Sequence, residues 1–169
     1  MKPLVFTGSA VAIVTPFKGG KVDFPAFDRL VAWQLQQGTD AIVVCGTTGE
    51  AATLNLEERR ALIERCVRIV DHRVPVIAGS GTNSTSSAVA LSRAAQKSGA
   101  DALLTVTPYY NKSSQNGLVR HFSTIADAVD IPLILYNVPS RTGVSCTAQT
   151  YQKLAAHPNI VGVKEASDS

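Results

Sequence analysis

Much that would define a function class is scarce in this sequence of 169 residues. Cysteine occurs three times, as Cys45, Cys66 and Cys146, an odd count with no CxxC pair. Disulfide frameworks and zinc sites need paired or close spacings, so reduced thiols in a cytosolic protein are expected. His72, His121 and His157 are scattered and no HExxH spacing occurs, so nothing asks for a metal. No apolar run approaches the ~18 residues that a membrane span needs. The opening Met1-Lys2-Pro3-Leu4-Val5-Phe6, broken soon by Gly8, is too short for a signal peptide, and a cytoplasmic location is expected. Charge of one sign is not in excess either. Lys and Arg number 16 against 13 Asp and Glu, a net charge of +3, and no basic run concentrates it. Nucleic acid is therefore not an expected partner.

What is present suits a folded domain. Hydrophobic residues make up 45% of the chain and charged residues 17%. Residues 1–169 are read as one domain with a core that needs no disulfide or metal to hold it.

Short apolar, β-branched runs recur along the chain: Ala10–Val14, Ala41–Val44, Val74–Ala78, Ala102–Val106, Leu133–Tyr136 and Ile160–Lys164. Their onsets lie roughly 27 to 33 residues apart, the length of one βα unit. Helical periodicity fills the gaps. Asp23 is the expected N-cap of a first helix, with Pro25 in its first turn, Phe27, Leu30, Val31 and Leu35 on one face, and Gly38 past its end. Asn55 caps a second helix, with Glu57 and Glu58 in the first turn and Leu62, Cys66, Val67 and Val70 facing inward. A third runs from Ser84 to Ser98 and stops at Gly99. A fourth carries Leu118, Phe122, Ile125, Ala126 and Val129, and a short fifth spans Thr147 to about Ala156, before Pro158.

Six strands alternating with five helices predict an α/β protein with a parallel sheet, either doubly wound or a (β/α)8 barrel. The placement of polar residues favours the barrel. Cys45-Gly46-Thr47-Thr48-Gly49-Glu50, Gly79-Ser80-Gly81-Thr82-Asn83, Thr107-Pro108-Tyr109-Tyr110-Asn111, Tyr136 to Gly143, and Lys164-Glu165 all follow strands. Bland connectors such as Gly38-Thr39-Asp40 precede them. Chemistry at the carboxyl ends of five successive strands marks a barrel, whereas an open sheet gathers it near one switch point. A full barrel takes about 250 residues. The expectation is therefore a (β/α)8 TIM barrel truncated after its sixth strand, or a fragment of one.

Lys164 is the sharpest single residue. In Ile160-Val161-Gly162-Val163-Lys164 it is read on one face with Ile160 and Gly162, the interior face of a barrel. A lysine among apolar walls loses proton affinity, and its neutral amine can attack a ketone to form a Schiff base. Taken alone, it is more simply a strand-end lysine snorkelling to water. Tyr136, one strand away, can relay protons, or else is a core aromatic with a satisfied hydroxyl. Arg141, in a loop punctuated by Pro and Gly, offers a planar fork for a carboxylate, or is an ordinary surface arginine. Gly46 and Gly49 let the backbone around Thr47 and Thr48 approach an anion, and Thr47 adds a hydroxyl; the plainer reading is a βα turn. Tyr109 and Tyr110 are two bulky aromatics in a loop, which points to a binding site or a subunit interface. Gly79-Ser80-Gly81 fails both phosphate fingerprints, so no nucleotide is expected.

Together these residues place the chain in recognisable company. It resembles the dihydrodipicolinate synthase family of pyruvate-dependent, Schiff-base class I aldolases from about Phe6 to Ser169. The resemblance rests on Gly46-Thr47-Thr48-Gly49-Glu50, Thr107-Pro108-Tyr109-Tyr110-Asn111, Tyr136-Asn137-Val138-Pro139-Ser140-Arg141-Thr142-Gly143 and Gly162-Val163-Lys164-Glu165. It implies that Lys164 forms an imine with pyruvate. Tyr136 and Thr47 would form a hydroxyl relay, completed by Tyr110 from a neighbouring subunit. Amides around Thr47 and Thr48 would hold the pyruvate carboxylate, and Arg141 the carboxylate of aspartate 4-semialdehyde. It further implies a cytoplasmic homotetramer without cofactor, working in lysine and diaminopimelate biosynthesis, and family chains that continue for two more strands and a helical extension.

A sister lyase, such as an N-acetylneuraminate lyase or a 2-keto-3-deoxy sugar acid aldolase, would share Lys164, Tyr136 and the glycine loop. Arg141 and the Tyr109-Tyr110-Asn111 loop fit the synthase better. An inactive truncated scaffold is the non-enzyme alternative. In family members regulated by lysine, a site near the loops after the second and third strands binds the effector. Asn83 and Tyr109 match it, but Leu56 and Arg59 stand where histidines are common, and Ser87 stands for a glutamate. Weak or absent inhibition by lysine is expected.

Overall fold

The computed structural model describes residues 4–167. Met1, Lys2 and Pro3 of the opening segment, and Asp168 and Ser169 at the end of the resemblance, lie outside the described residues. The chain runs β1 (Ala10–Ala12), β2 (Phe17–Lys18), β3 (Lys21–Val22), α1 (Phe24–Gln36), β4 (Ala41–Val44), a 3-10 turn (Ala51–Thr53), α2 (Leu56–Val70), β5 (Val76–Gly79), α3 (Thr85–Lys97), β6 (Ala102–Val106), α4 (Gln115–Asp127), β7 (Leu133–Asn137), α5 (Pro139–Thr142), α6 (Ala148–Ala155) and β8 (Ile160–Glu165).

The helices start where the sequence offers caps. The Asp23 carboxylate accepts from the Ala26 N–H at 3.0 Å, and Pro25 occupies the first turn of α1. Asn55 and Glu58 close a reciprocal capping box on α2 at 2.9 and 3.0 Å. Ser84, Ser114 and Thr147 cap α3, α4 and α6 with the side-chain oxygen alone, accepting from the Ser87, Gly117 and Thr150 N–H groups. Pro75 has no N–H to give the ladder, and β5 begins after it, two residues later than the apolar run suggests.

Six strands form one sheet in the order β1-β4-β5-β6-β7-β8, every pairing parallel. Each strand lies beside the next one in the chain, apart from the small β2–β3 hairpin. A doubly wound sheet reverses direction at a switch point, and this one does not. Strand alternation divides the apolar residues in two. Ile42, Val44, Ala78, Leu103, Leu133 and Leu135 join Phe27, Val31, Leu62, Phe122 and Leu154 of the helices in one core. Ala41, Val43, Ile77, Ala102, Leu104 and Tyr136 form a second cluster that contains no helix residue. With its helices on one face, the sheet curls so that the second cluster lines a lumen, and the expected barrel architecture is present as a half-barrel.

Three features depart from the pattern read in the sequence. The β2–β3 hairpin leaves no apolar run to mark it. Its Gly19 and Gly20 both take positive φ, 58° and 74°, as a two-residue type I′ turn requires. The segment after Val138 is not an open loop, because Pro139–Thr142 winds into one helical turn ending at Gly143 with φ 72°. The face of Ile160 also changes, while Lys164 keeps the interior face expected of it. Ladder pairing runs Leu133 to Ile160 and then Ile134 to Gly162, leaving Val161 as the extra residue of a bulge. Ile160 therefore faces the helices with Leu133, while Gly162 and Lys164 face the lumen with Ile134 and Tyr136.

Candidate active site

The carboxyl ends of β4, β5, β7 and β8 build one cleft. After β4 the chain turns through left-handed positions at Cys45 and Glu50, both at φ 55°. Gly46 and Gly49 themselves are not left-handed; Gly49 fits closely, since a Cβ there would lie 3.1 Å from the Ile13 carbonyl oxygen. The buried Thr15 hydroxyl donates to the Gly49 carbonyl at 2.7 Å and pins the loop to the end of β1. Gly49 and Glu50 close back on the Gly46 and Thr47 carbonyls at 3.1 Å each. The N–H groups of Thr47 and Thr48 have no acceptor among the described residues, and both side chains are exposed. The result is a short concave run of free amides, suited to an anion.

Beside it, β5 ends against the backbone of the same loop. A Cβ on Gly79 would stand 2.0 Å from the Cys45 carbonyl oxygen, so only glycine lets these strand ends meet. Arg59 of α2 reaches under the loop, donating to the Ala51 carbonyl and, at 3.4 Å, to that of Gly79. Burial pushes the Cys45 thiol up to about 12, with Arg59 opposing, so it stays a protonated, unreactive group at the floor of the cleft.

On the opposite wall, Tyr136 is only 8% exposed, and the Lys164 ammonium stands over its ring at 4.5 Å from the centroid. Lys164 itself is exposed, so the apolar enclosure expected for it is found on one side only. Arg141 projects from α5, whose turn is fixed by the Thr142 hydroxyl bonding to the Val138 and Val144 carbonyls at 3.1 and 2.9 Å. A cavity of about 200 Å³ touches Thr47, Thr48, Tyr136, Arg141 and Lys164 together. A neighbouring one of about 330 Å³ shares Thr47, Tyr136 and Arg141 and extends to Glu50, Arg59 and Tyr109.

Five of the six expected site residues therefore converge. Tyr110 does not. It is 87% exposed, at φ 73°, and lines neither cavity. Tyr109 behaves differently from its neighbour, lying half-buried with its hydroxyl 3.4 Å from that of Thr82. Sequence reasoning did not place Arg59 or Glu50 in the cleft. Arg59 lies on the helical face that otherwise reads as solvent-exposed, and only the close approach of β4 to β5 brings it in.

An amine, a phenol, a hydroxyl, free amides and a guanidinium gather at the carboxyl ends of sequentially paired parallel strands, the end of a (β/α) barrel where sites are built. Comparison with known proteins makes the class specific. The model of the dihydrodipicolinate synthetase family matches residues 5–169, and the chain belongs to that family. The 4-hydroxy-tetrahydrodipicolinate synthase of Thermodesulfovibrio yellowstonii is 58% identical over 163 residues, covering 96% of this chain and 56% of that protein. That of Geobacter metallireducens is 57% identical over 165 residues, covering 98% and 57%. Among solved structures, dihydrodipicolinate synthase from Aquifex aeolicus superposes with a TM-score of 0.95 at 50% identity, over 97% of this chain and 56% of that one. The chloride-inhibited enzyme of Acinetobacter baumannii, complexed with pyruvate, gives 0.94 at 53%, again over 97% and 56%. The chain thus spans a little over half the length of these relatives.

Proposed function

We propose that this chain carries the imine-forming part of a 4-hydroxy-tetrahydrodipicolinate synthase, a lyase that condenses pyruvate with L-aspartate 4-semialdehyde. Residues 1–169 would be the first six βα units of a single barrel domain. The observation that carries the reading is Lys164 Nζ, 4.5 Å from the Tyr136 ring centroid in a cleft shared with Thr47, Thr48 and Arg141. The family relationship supports it.

In this reading the pyruvate carboxylate sits on the free amides of Thr47 and Thr48. Lys164, once neutral, attacks the keto carbon, and the carbinolamine loses water to give the imine. Tyr136 and Thr47 pass the protons, with Tyr110 of a second copy completing the relay from its exposed loop. A methyl proton then leaves to form the enamine, whose carbon attacks the aldehyde while Arg141 holds the second carboxylate. The new alkoxide takes up a proton, and the substrate's own amine displaces Lys164 from the imine carbon, closing the ring and freeing the enzyme. The covalent partner is the substrate itself, so the reading requires neither cofactor nor metal. The chain would act in the cytoplasm, in lysine and diaminopimelate biosynthesis, as a homotetramer built from dimers.

The test is reductive trapping. Borohydride added to the protein with pyruvate should leave one reduced pyruvate on the peptide that contains Lys164, and Lys164→Ala should abolish it. A label on a different lysine would refute the assignment.

A further inference from the structure

Directly next to the Tyr136–Lys164 pair, the ladder places Asn137 opposite Glu165. Alternation turns this second pair to the helix side of the sheet. There the Glu165 carboxylate is fully engaged. Its Oε2 accepts from the Tyr151 hydroxyl of α6 at 2.6 Å, and its Oε1 accepts from the Asn137 side-chain amide at 2.8 Å and the Ser167 N–H at 3.1 Å. Asn137 is 1% exposed and spends its remaining bonds on the same corner, donating to the Ser145 hydroxyl and accepting from the Cys146 N–H, both at 3.2 Å. Glu165 is itself exposed; desolvation works against its charge, but the bonds from Tyr151, Asn137 and Ser167 outweigh it and hold the carboxyl below the usual carboxylate range. It therefore stays ionised, and gripped, throughout the neutral range.

On the lumen side, the end of β8 has little to hold it. A Cβ at Gly162 would meet nothing within 4 Å, Lys164 is exposed, and the bulge at Val161 separates this end from the better-packed Ile160. The position of Lys164 is thus not set by packing around its own side chain. It depends on the backbone, and the side-chain clamp that fixes that backbone is one residue along.

We propose that Glu165 is a positioning residue: bound by Tyr151 and Asn137 behind the sheet, it fixes the end of β8 so that Lys164 stands against Tyr136 and reaches the keto carbon. The proposal rests on the reading of Lys164 as the imine-forming amine. A misplacement of about 1 Å can cost on the order of 10²-fold in rate, so removing the clamp should act on the covalent step more than on binding.

The experiment measures the first-order rate of imine trapping at saturating pyruvate, together with the pyruvate concentration giving half that rate and the thermal midpoint. Glu165→Ala should slow trapping by about 10- to 100-fold while the half-saturating concentration moves less than about threefold. Glu165→Gln, which keeps an acceptor for one of the two side-chain partners, should recover part of the rate. Tyr151→Phe deletes a single hydroxyl, and it decides the matter should Glu165→Ala fold poorly; it should slow trapping by several-fold at an unchanged half-saturating concentration. Wild-type rates in both folded variants would overturn the positioning role, as would a loss that merely tracks the fraction of folded protein. Wild-type protein labelled away from Lys164 would instead overturn the Schiff-base reading, so the two failures are distinct.

Discussion

Acid should destabilise this protein through one buried histidine. His121 on α4 is 4% exposed, and its Nδ1 pairs with the Thr85 hydroxyl of α3 at 2.9 Å. Its Nε2 is buried without a hydrogen-bond partner among the described residues. Protonation would place both a charge and an unanswered N–H donor in the interior, and burial accordingly depresses the ring's pKa from an ordinary 6.5 to about 4. A histidine held neutral in the fold but free to charge when unfolded contributes its full stabilisation above the unfolded value. That contribution is lost as pH falls from 6.5 towards about 4, because the unfolded chain binds the extra proton first. At about 1.4 kcal/mol per decade of proton affinity, the complete effect approaches ~3 kcal/mol, of which about 2 kcal/mol is lost by pH 5. Urea unfolding at pH 7.5, 6 and 5 should therefore show midpoints that drop by about 1 M across the range. His121→Gln, less stable at pH 7.5, should lack that part of the slope, which separates His121 from the carboxylates that titrate lower. A ring that titrates near 6.5 by NMR in the folded protein, or equal slopes in the two proteins, would refute the reasoning.

Tyr136→Phe should lower turnover by on the order of 10²-fold with little change in stability, since only the hydroxyl of a buried ring is lost; Arg141→Ala should raise KM for aspartate 4-semialdehyde more than for pyruvate, and equal effects would make Arg141 structural. Gly79→Ala forces a methyl against the Cys45 carbonyl and should cost ~3 kcal/mol or more in chemical denaturation, because backbone rather than a flexible side chain is in the way. Lysine should inhibit weakly or not at all: Leu56, Arg59 and Ser87 supply no carboxylate for its ammonium groups, and the Arg59 guanidinium that lines the cleft adds a like charge. Initial rates with lysine raised to millimolar levels check this, and strong sub-millimolar inhibition would contradict it.

The half-barrel and most of its site were legible in the chain because their signals are local. Asp23, Asn55, Ser84 and Thr147 cap helices with their own side chains, and two-residue alternation in Ala41–Val44 or Leu133–Tyr136 already separates a helix-facing set from a lumen-facing set. Thr47, Tyr136, Arg141 and Lys164 stood out for a related reason. Each ends or follows an apolar strand, and parallel strands paired in chain order must deliver their carboxyl ends to one rim.

What the tertiary structure alone decided concerns residues that meet across sequence distance. The bulge at Val161 sends Ile160 to the helices while Lys164 keeps to the lumen, so an uninterrupted period of two assigns Ile160 wrongly, because an extra residue leaves no trace in the pattern of apolar positions. Two adjacent tyrosines with the same chemistry part company, Tyr109 into the cleft and Tyr110 out to solvent, since the turn at Tyr110 sets their directions. Arg59 enters the site only because Gly79 allows β5 to touch the loop after β4, and Glu165 becomes a clamp only because α6 returns Tyr151 to the back of β8. Composition and periodicity fix which face a residue shows to its own element; which partner waits there depends on how the elements pack.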